Sequence, residues 1–357
     1  MRASRLTPAQ LAAAGSGELL GAVLLAPVRL DGGRLPKGTR LDQAAVERLA
    51  AAARAGALER AVPLAWPDPD DLHEDEAASR LARAIGGPGV TVGILRQSRL
   101  DLTARGDGVV HVRVAELTRL NRIDALEVFT VYHGQAVVAG ETLASVKVAP
   151  HVIARGLVEA GERLARESAP LVDVHPYRPL EVGAIAEETL TPEALGRFEE
   201  VARRKVEALG SRFAGTLVVG DPDPTAAEHD ARAALAETVR RRRLPIVLVG
   251  GVSAGDPLSP FFAALEALGG RVVRRGVPAH PGSMIWLAEL DDSRLLGLPQ
   301  CGMFTLATAA DLVLPRLLTG ERLTADELAD LGHGGVLGPE MRFRFPDYAR
   351  DLRAPED

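Results

Sequence analysis

The sequence predicts an α/β protein: a three-layer, mostly parallel sheet preceded by an α+β region with small β-rich elements. Three observations carry that prediction. From Leu180 onward, apolar runs of strand length alternate with helical stretches of roughly 10 to 18 residues. Two of those runs, "TLVV" and "IVLVG", are apolar without interruption, as suits strands covered on both faces. Between residues 90 and 150, glycines punctuate short alternating strands instead, with Gly134 and Gly140 bounding a compact hairpin arrangement.

Taken in order, "LLGAVLLAPVRL" (residues 19–30) reads as one strand. "DQAAVERLAAAARAG" reads as a helix with Asp42 as N-cap and Gly56 as stop. "LERAVPLAWP" is a strand, and "DDLHEDEAASRLARAIGG" a helix whose acidic residues sit at its favourable end. In the second half "LEVGAIAEETL" is a strand and loop. The helix "TPEALGRFEEVARRKVEALG" has Thr191 as N-cap and Pro192 first. "GTLVVGDPDP" is a strand with an acidic turn. "TAAEHDARAALAETVRRR" is a helix with a capping box from Thr225 to Glu228. "LPIVLVGG", "GRVVRRGVP" and "RLLGLP" are strands, "SPFFAALEALGG" is a helix capped by Ser259, and "GMFTLATAADLVLPRLLTG" is one helix.

Residues 1–175 therefore form an N-terminal α+β region of one or two lobes. Residues 176–320 form the α/β domain, and 321–357 a C-terminal tail with one short helix and loosely packed polar turns. Several classes are not expected. The net charge is −6 and the arginines are scattered apart from Arg240–Arg243, so nucleic-acid binding is not expected. A single cysteine, Cys301, forbids an intramolecular disulfide and the usual thiolate zinc sites; it is expected to be a small buried side chain. The apolar N-terminal patch is interrupted by Glu18 and Pro27, so neither a signal peptide nor a membrane span is expected. A cytoplasmic location follows as the simplest expectation.

Candidate chemistry lies at the carboxyl ends of the strands, where open α/β sheets gather ligands. Four loops qualify: 186–190, 220–224, 250–256 and 297–302. The third, "GGVSAGD", holds Gly250, Gly251, Ser253 and Gly255 ahead of a helix. It is either an ordinary turn or an anion cradle, in which glycines let backbone N–H groups approach and Ser253 adds a donor. It lacks the lysine of a nucleotide P-loop and the spacing of the dinucleotide fingerprint. Asp221 and Asp223, with Asp256, are either turn formers or Mg²⁺ ligands that would offset phosphate repulsion. Glu187 and Glu188 reach the same pocket or face solvent. "RRGVPAHPGSMIWLAEL" adds a Pro281-Gly282 turn and the Ser283 hydroxyl.

These loops, in this order, resemble the molybdopterin-binding domain of molybdopterin adenylyltransferases, molybdenum insertases and gephyrin-like proteins. "VLVGGVSAGD" resembles its Gly-Gly-Val-Ser-x-Gly loop, "GDPDPTAAEHDARAAL" its Asp-containing loop and helix, "VPAHPGSMIWLAEL" its Pro-Gly loop, and "LLGLPQCGMFTLA" its Gly-Leu-Pro-Gly-Asn-Pro stretch. The match covers about residues 178–318. The resemblance implies molybdopterin, with Mg²⁺, as the ligand. Gly250, Gly251, Ser253 and Gly255 would bind its phosphate or dithiolene side, and Pro281, Gly282 and Ser283 its pterin or phosphate. Asp221 and Asp256 would match acidic, catalytic positions, and Asp221 and Asp223 metal positions. Two motifs depart: Ala186, Glu187 and Glu188 stand where catalytic members carry Thr-Gly-Asp-Glu, and Gln300, Cys301 and Gly302 replace Gly-Asn-Pro.

Three readings follow. The first is a protein that binds molybdopterin or its nucleotide derivative and acts in cofactor maturation or in delivery to a molybdoenzyme or another pathway protein. The second is a Mg²⁺-dependent enzyme of adenylyl transfer or molybdate insertion, and the third a structural α/β protein. The family also implies a homo-oligomer.

Overall fold

The computed structural model describes residues 1–350 apart from 32, 97, 168–169, 188–189 and 221–222. The chain divides into two compact units. The first comprises Met1–Arg105, His111–His133 and Ala139–Val174. The second comprises Gly106–Val110, Gly134–Val138 and the chain from His175 onward.

In the first unit, an antiparallel sheet runs in the order Arg2–Leu6, Val62–Trp66, Val23–Leu24. The single strand expected over 19–30 is instead two pieces, Val23–Leu24 and Val28–Leu30. Pro27 stands between them and has no N–H to give a ladder. The helix Gln43–Arg54 begins where the cap predicts, with the Asp42 carboxylate accepting the Ala45 N–H at 2.8 Å. A four-stranded antiparallel sheet follows, ordered Leu126–Thr130, Thr142–Val148, Arg99–Ala104, Val90–Arg96. Helices Glu74–Ile85 and Arg155–Glu167 pack on it and on each other. Arg80 ties the two helices by forking onto Glu162 at 2.9 and 2.8 Å.

The second unit is built on one six-stranded sheet. Its elements are β1 (Glu181–Glu187), α1 (Pro192–Glu207), β2 (Arg212–Val219), α2 (Pro224–Leu235), β3 (Ile246–Gly250), α3 (Pro260–Ala267), β4 (Arg271–Arg275), β5 (Trp286–Leu290), β6 (Ser293–Leu298), α4 (Gln300–Phe304) and α5 (Ala310–Leu318). The sheet order is β2-β1-β3-β6-β5-β4. The first four strands are parallel neighbours, and β5 and β4 add antiparallel, so the sheet is mixed.

Both faces are covered. Val182, Ala184, Ile246, Leu248 and Leu296 meet Phe198 and Ala202 of α1 and Leu314 of α5 on one face. Ile185, Val247, Val249 and Leu295 meet Ala231 of α2 and Phe261 and Leu265 of α3 on the other. Alternate residues of each central strand thus feed opposite cores, which is why those strands read as continuous apolar runs.

Three local expectations need correction. The α2 capping box does not form: Pro224 takes the first helical position, and the Asp223 carboxylate accepts the N–H groups of Thr225 and Ala226 at 2.9 and 3.0 Å. The helix expected over 302–320 is two helices, α4 and α5. They are separated by 305–309, where Ala307 has φ +60° and Asp311 reaches back to the Thr308 N–H. The segment after Gly320 is not loosely packed. Leu323, Leu328, Leu331, Leu337, Phe345 and Ala349 are buried in the core shared with α1 and α5. No helix among the described residues is long and apolar enough to cross a membrane.

Candidate functional site

The register of the parallel strands aligns their carboxyl ends in one row. Glu187 pairs with Val219, Ala186 with Gly250, and Gly250 with Leu298. Chain order reverses at β1, since β2 lies on one side of it and β3 on the other. Such a switch point opens a crevice between the two departing loops. Glu187 ends β1, and the glycine loop 250–256 leaves β3 beside it.

Each glycine of that loop has its own cause. A Cβ on Gly250 would lie 2.7 Å from the Met303 methyl and 3.2 Å from the Phe198 ring, so the core selects the small residue. Gly251 has φ +88°, and its N–H donates to Leu298 O at 3.3 Å. An L side chain there would be strained: Gly251→Ala is expected to cost about 1 kcal/mol, readable as a lowered urea midpoint. A Cβ on Gly255 would stand 2.9 Å from the Met284 methyl.

The loop's remaining polar groups define what it offers. The Ser253 Oγ accepts the Gly255 N–H at 3.2 Å, and its own proton meets no acceptor among the described residues. The Ser253 carbonyl accepts from Asp256 N at 3.2 Å. Val252 O is held by the Trp286 indole N–H at 2.9 Å, with Trp286 fully buried against Phe261 and Phe262. Among the described residues, the N–H groups of Val252 and Ser253 donate to no protein acceptor. Asp256 Oδ1 accepts from Leu258 N at 2.9 Å, and Leu258 itself is almost wholly exposed.

The Pro281–Ser283 turn reaches the same edge, because Trp286 at the start of β5 pairs with Gly297 near the end of β6. The two loops touch where Ala254 N donates to Met284 O at 3.4 Å. The His280–Pro281 peptide is cis, and Gly282 has φ +101°. A Cβ on Gly282 would sit 2.8 Å from Ala309 N. His280 is bonded through its backbone, giving N–H to Gly335 O and accepting from Leu337 N, each at 2.8 Å.

Glu187 is the group at this edge with the most altered chemistry. Burial pushes its carboxyl up to about 7, and the facing charge of Asp256 adds to that rise. The Ser259 Oγ, which donates to Glu187 Oε2 at 3.3 Å, and the Phe261 N–H partly oppose it. The carboxyl therefore occupies the N-terminus of α3, where the sequence suggests an external anion. An outside anion is left with the loop amides and Ser253.

The acidic candidates are dispersed. Asp223 caps α2, Asp256 stays in the loop, and Asp221 and Glu188 lie outside the described residues. Among the described residues no group of three or more His, Cys, Asp or Glu is placed to hold a metal ion. Cys301 is exposed in the first turn of α4 rather than buried, since that turn carries Gly302 and Met303 inward instead.

The sequence matches no family model and no curated protein. Among solved structures, the chain is similar to the molybdopterin biosynthesis MoeA protein from Pyrococcus horikosii. That likeness has 13% identity and a TM-score of 0.31, and covers 70% of this chain and 79% of that one. It is also similar to the molybdopterin biosynthesis enzyme MoaB from Thermus thermophilus, with 17% identity and a TM-score of 0.28, over 40% of this chain and 98% of that one. Both likenesses are distant.

Proposed function

We propose that the protein binds molybdopterin, or a nucleotide derivative of it, at the carboxyl edge of the second unit's sheet, and acts in cofactor maturation or delivery. One observation carries the reading: Gly251–Ser253 presents two N–H groups without a protein acceptor beside a hydroxyl with a proton to give, next to the Pro281–Ser283 turn. Backbone amides and a hydroxyl can bind a phosphate without a lysine. Exposed Leu258 and Met284 flank the loop and suit the apolar face of a pterin ring. The loop order that resembles molybdopterin-binding domains names this anion among others. By the resemblance alone, Asp221 and Asp223 are the proposed Mg²⁺ ligands, and Asp223 also caps α2.

The test is mass analysis of ligand retained by protein expressed in a host that makes the cofactor, beside the Ser253→Ala variant. The wild-type protein is expected to retain molybdopterin, and Ser253→Ala to bind it about tenfold more weakly, the value of one hydrogen bond to a charged group. Equal retention by both proteins, or ligand bound away from Gly251–Ser253, would overturn the reading.

A further inference from the structure

The second unit buries an ion pair. Lys205 of α1 and Asp311 of α5 are both essentially inaccessible, and Lys205 Nζ lies 2.7 Å from each carboxylate oxygen. Asp311 Oδ1 also accepts from the Tyr348 hydroxyl at 2.8 Å. Its Oδ2 accepts from Thr308 N at 2.9 Å and Thr308 Oγ1 at 3.0 Å. Burial and the facing Asp311 charge hold the Tyr348 phenol well above its usual range, so it remains a donor.

Desolvating two charges costs about as much as their attraction returns, and what such a cluster can supply is a unique geometry. Here the geometry is that of Thr308. The neighbouring Ala309 N–H donates to Pro281 O at 2.8 Å, and Gly282 packs so closely on Thr308 and Ala309 that no Cβ fits. From the other side, residues 335–337 hold His280 through two backbone hydrogen bonds. The start of the turn is thus held from two sides, and one grip runs back to Asp311.

We propose that Asp311, fixed by Lys205 and Tyr348, acts through Thr308 as a positioning residue for the Pro281–Ser283 turn of the anion site. The inference rests on the molybdopterin reading for the ligand, while the grip on the turn stands on its own geometry. Through Tyr348 the C-terminal segment takes part in shaping the site without touching the ligand.

The experiment uses the full chain and three mild variants: Thr308→Val, Thr308→Ser and Tyr348→Phe. Binding of molybdopterin released anaerobically from a purified molybdoenzyme is measured well below the unfolding temperature, with amide hydrogen exchange at Ala309 and Ile285 beside it. Thr308→Val and Tyr348→Phe are expected to bind about fivefold more weakly, the worth of one hydrogen bond, and to exchange faster at Ala309 than at the central strands. Thr308→Ser, which keeps the hydroxyl, is expected to restore both readouts. A purely structural role would lower stability in all three variants and leave affinity and Ala309 exchange unmoved, which would overturn the proposal. If the wild-type protein binds no molybdopterin, the functional reading fails. The positioning role is then decided by Ala309 exchange alone: faster exchange in Thr308→Val supports it and unchanged exchange overturns it.

Discussion

Lys205→Met is expected to destabilise the second unit by about 3–5 kcal/mol, the usual cost of removing one partner of a buried ion pair. Methionine is close to lysine in length, and Lys205 is buried on the same helix as Phe198, Ala202 and Val206, so volume loss is small. What is lost is compensation. Asp311 would be left with no accessible surface and only the Thr308 and Tyr348 donors. Adding Asp311→Asn removes the charge while the amide oxygen still accepts, so the double variant is expected to recover part of the loss. Urea unfolding of the three proteins checks this. A single-variant loss under about 1 kcal/mol, the value of an exposed pair, would mean that water reaches the cluster. A domain has only about 5–15 kcal/mol to lose, so the single variant stands near the threshold of folding.

That cluster also marks what a sequence reader can and cannot see. Lys205 lies seven residues after Phe198 and three after Ala202, on the stripe that α1 buries, yet among "ARRKVE" it reads as one more surface cation. Asp311 interrupts the apolar run "AADLVLPRLL", a visible signal whose partner lies more than a hundred residues earlier. Much of the local chemistry was legible. The Asp42, Thr191 and Ser259 side chains cap the helices they precede, and the apolar runs of β1 and β3 lie between two cores. Reading failed where neighbours compete: Asp223 rather than Thr225 caps α2 because Pro224 takes the first helical position, and Asp311 reaches back to Thr308 where one expected helix is two. The loops at the sheet edge were legible as a group because parallel strands carry their ends to one side. The state of Glu187 was not, since it depends on its burial and on partners, Ser259 and Phe261, from another crossover.

Glu187→Gln is expected to stabilise the protein by about 2 kcal/mol at pH 8 and to leave it unchanged near pH 4. The native carboxyl titrates at about 7 and the unfolded one near 4.5. Below 4.5 both states hold the proton and nothing differs. Between 4.5 and about 7 the folded state holds a proton that the unfolded state has released, so stability falls as pH rises through this window and levels off above it. At about 1.4 kcal/mol per pH unit the interval corresponds to about 3 kcal/mol, which partial contact with solvent reduces to about 2. Glutamine keeps a hydrogen-bonding side chain at the α3 N-terminus without the charge, so the slope disappears. Urea midpoints of both proteins from pH 4 to 8 check the prediction; parallel curves would mean that Glu187 titrates alike in the folded and unfolded chains. The same titration bears on the cradle. Above pH 7 an incoming anion meets the charged Glu187 carboxylate, and below it a neutral carboxyl. Binding of sulfate, which does not itself titrate here, is therefore expected to weaken from pH 6 to 8 in the wild type and to stay level in Glu187→Gln. A carboxyl that gives up its charge when an anion arrives would let one edge of the sheet serve a phosphate without any lysine.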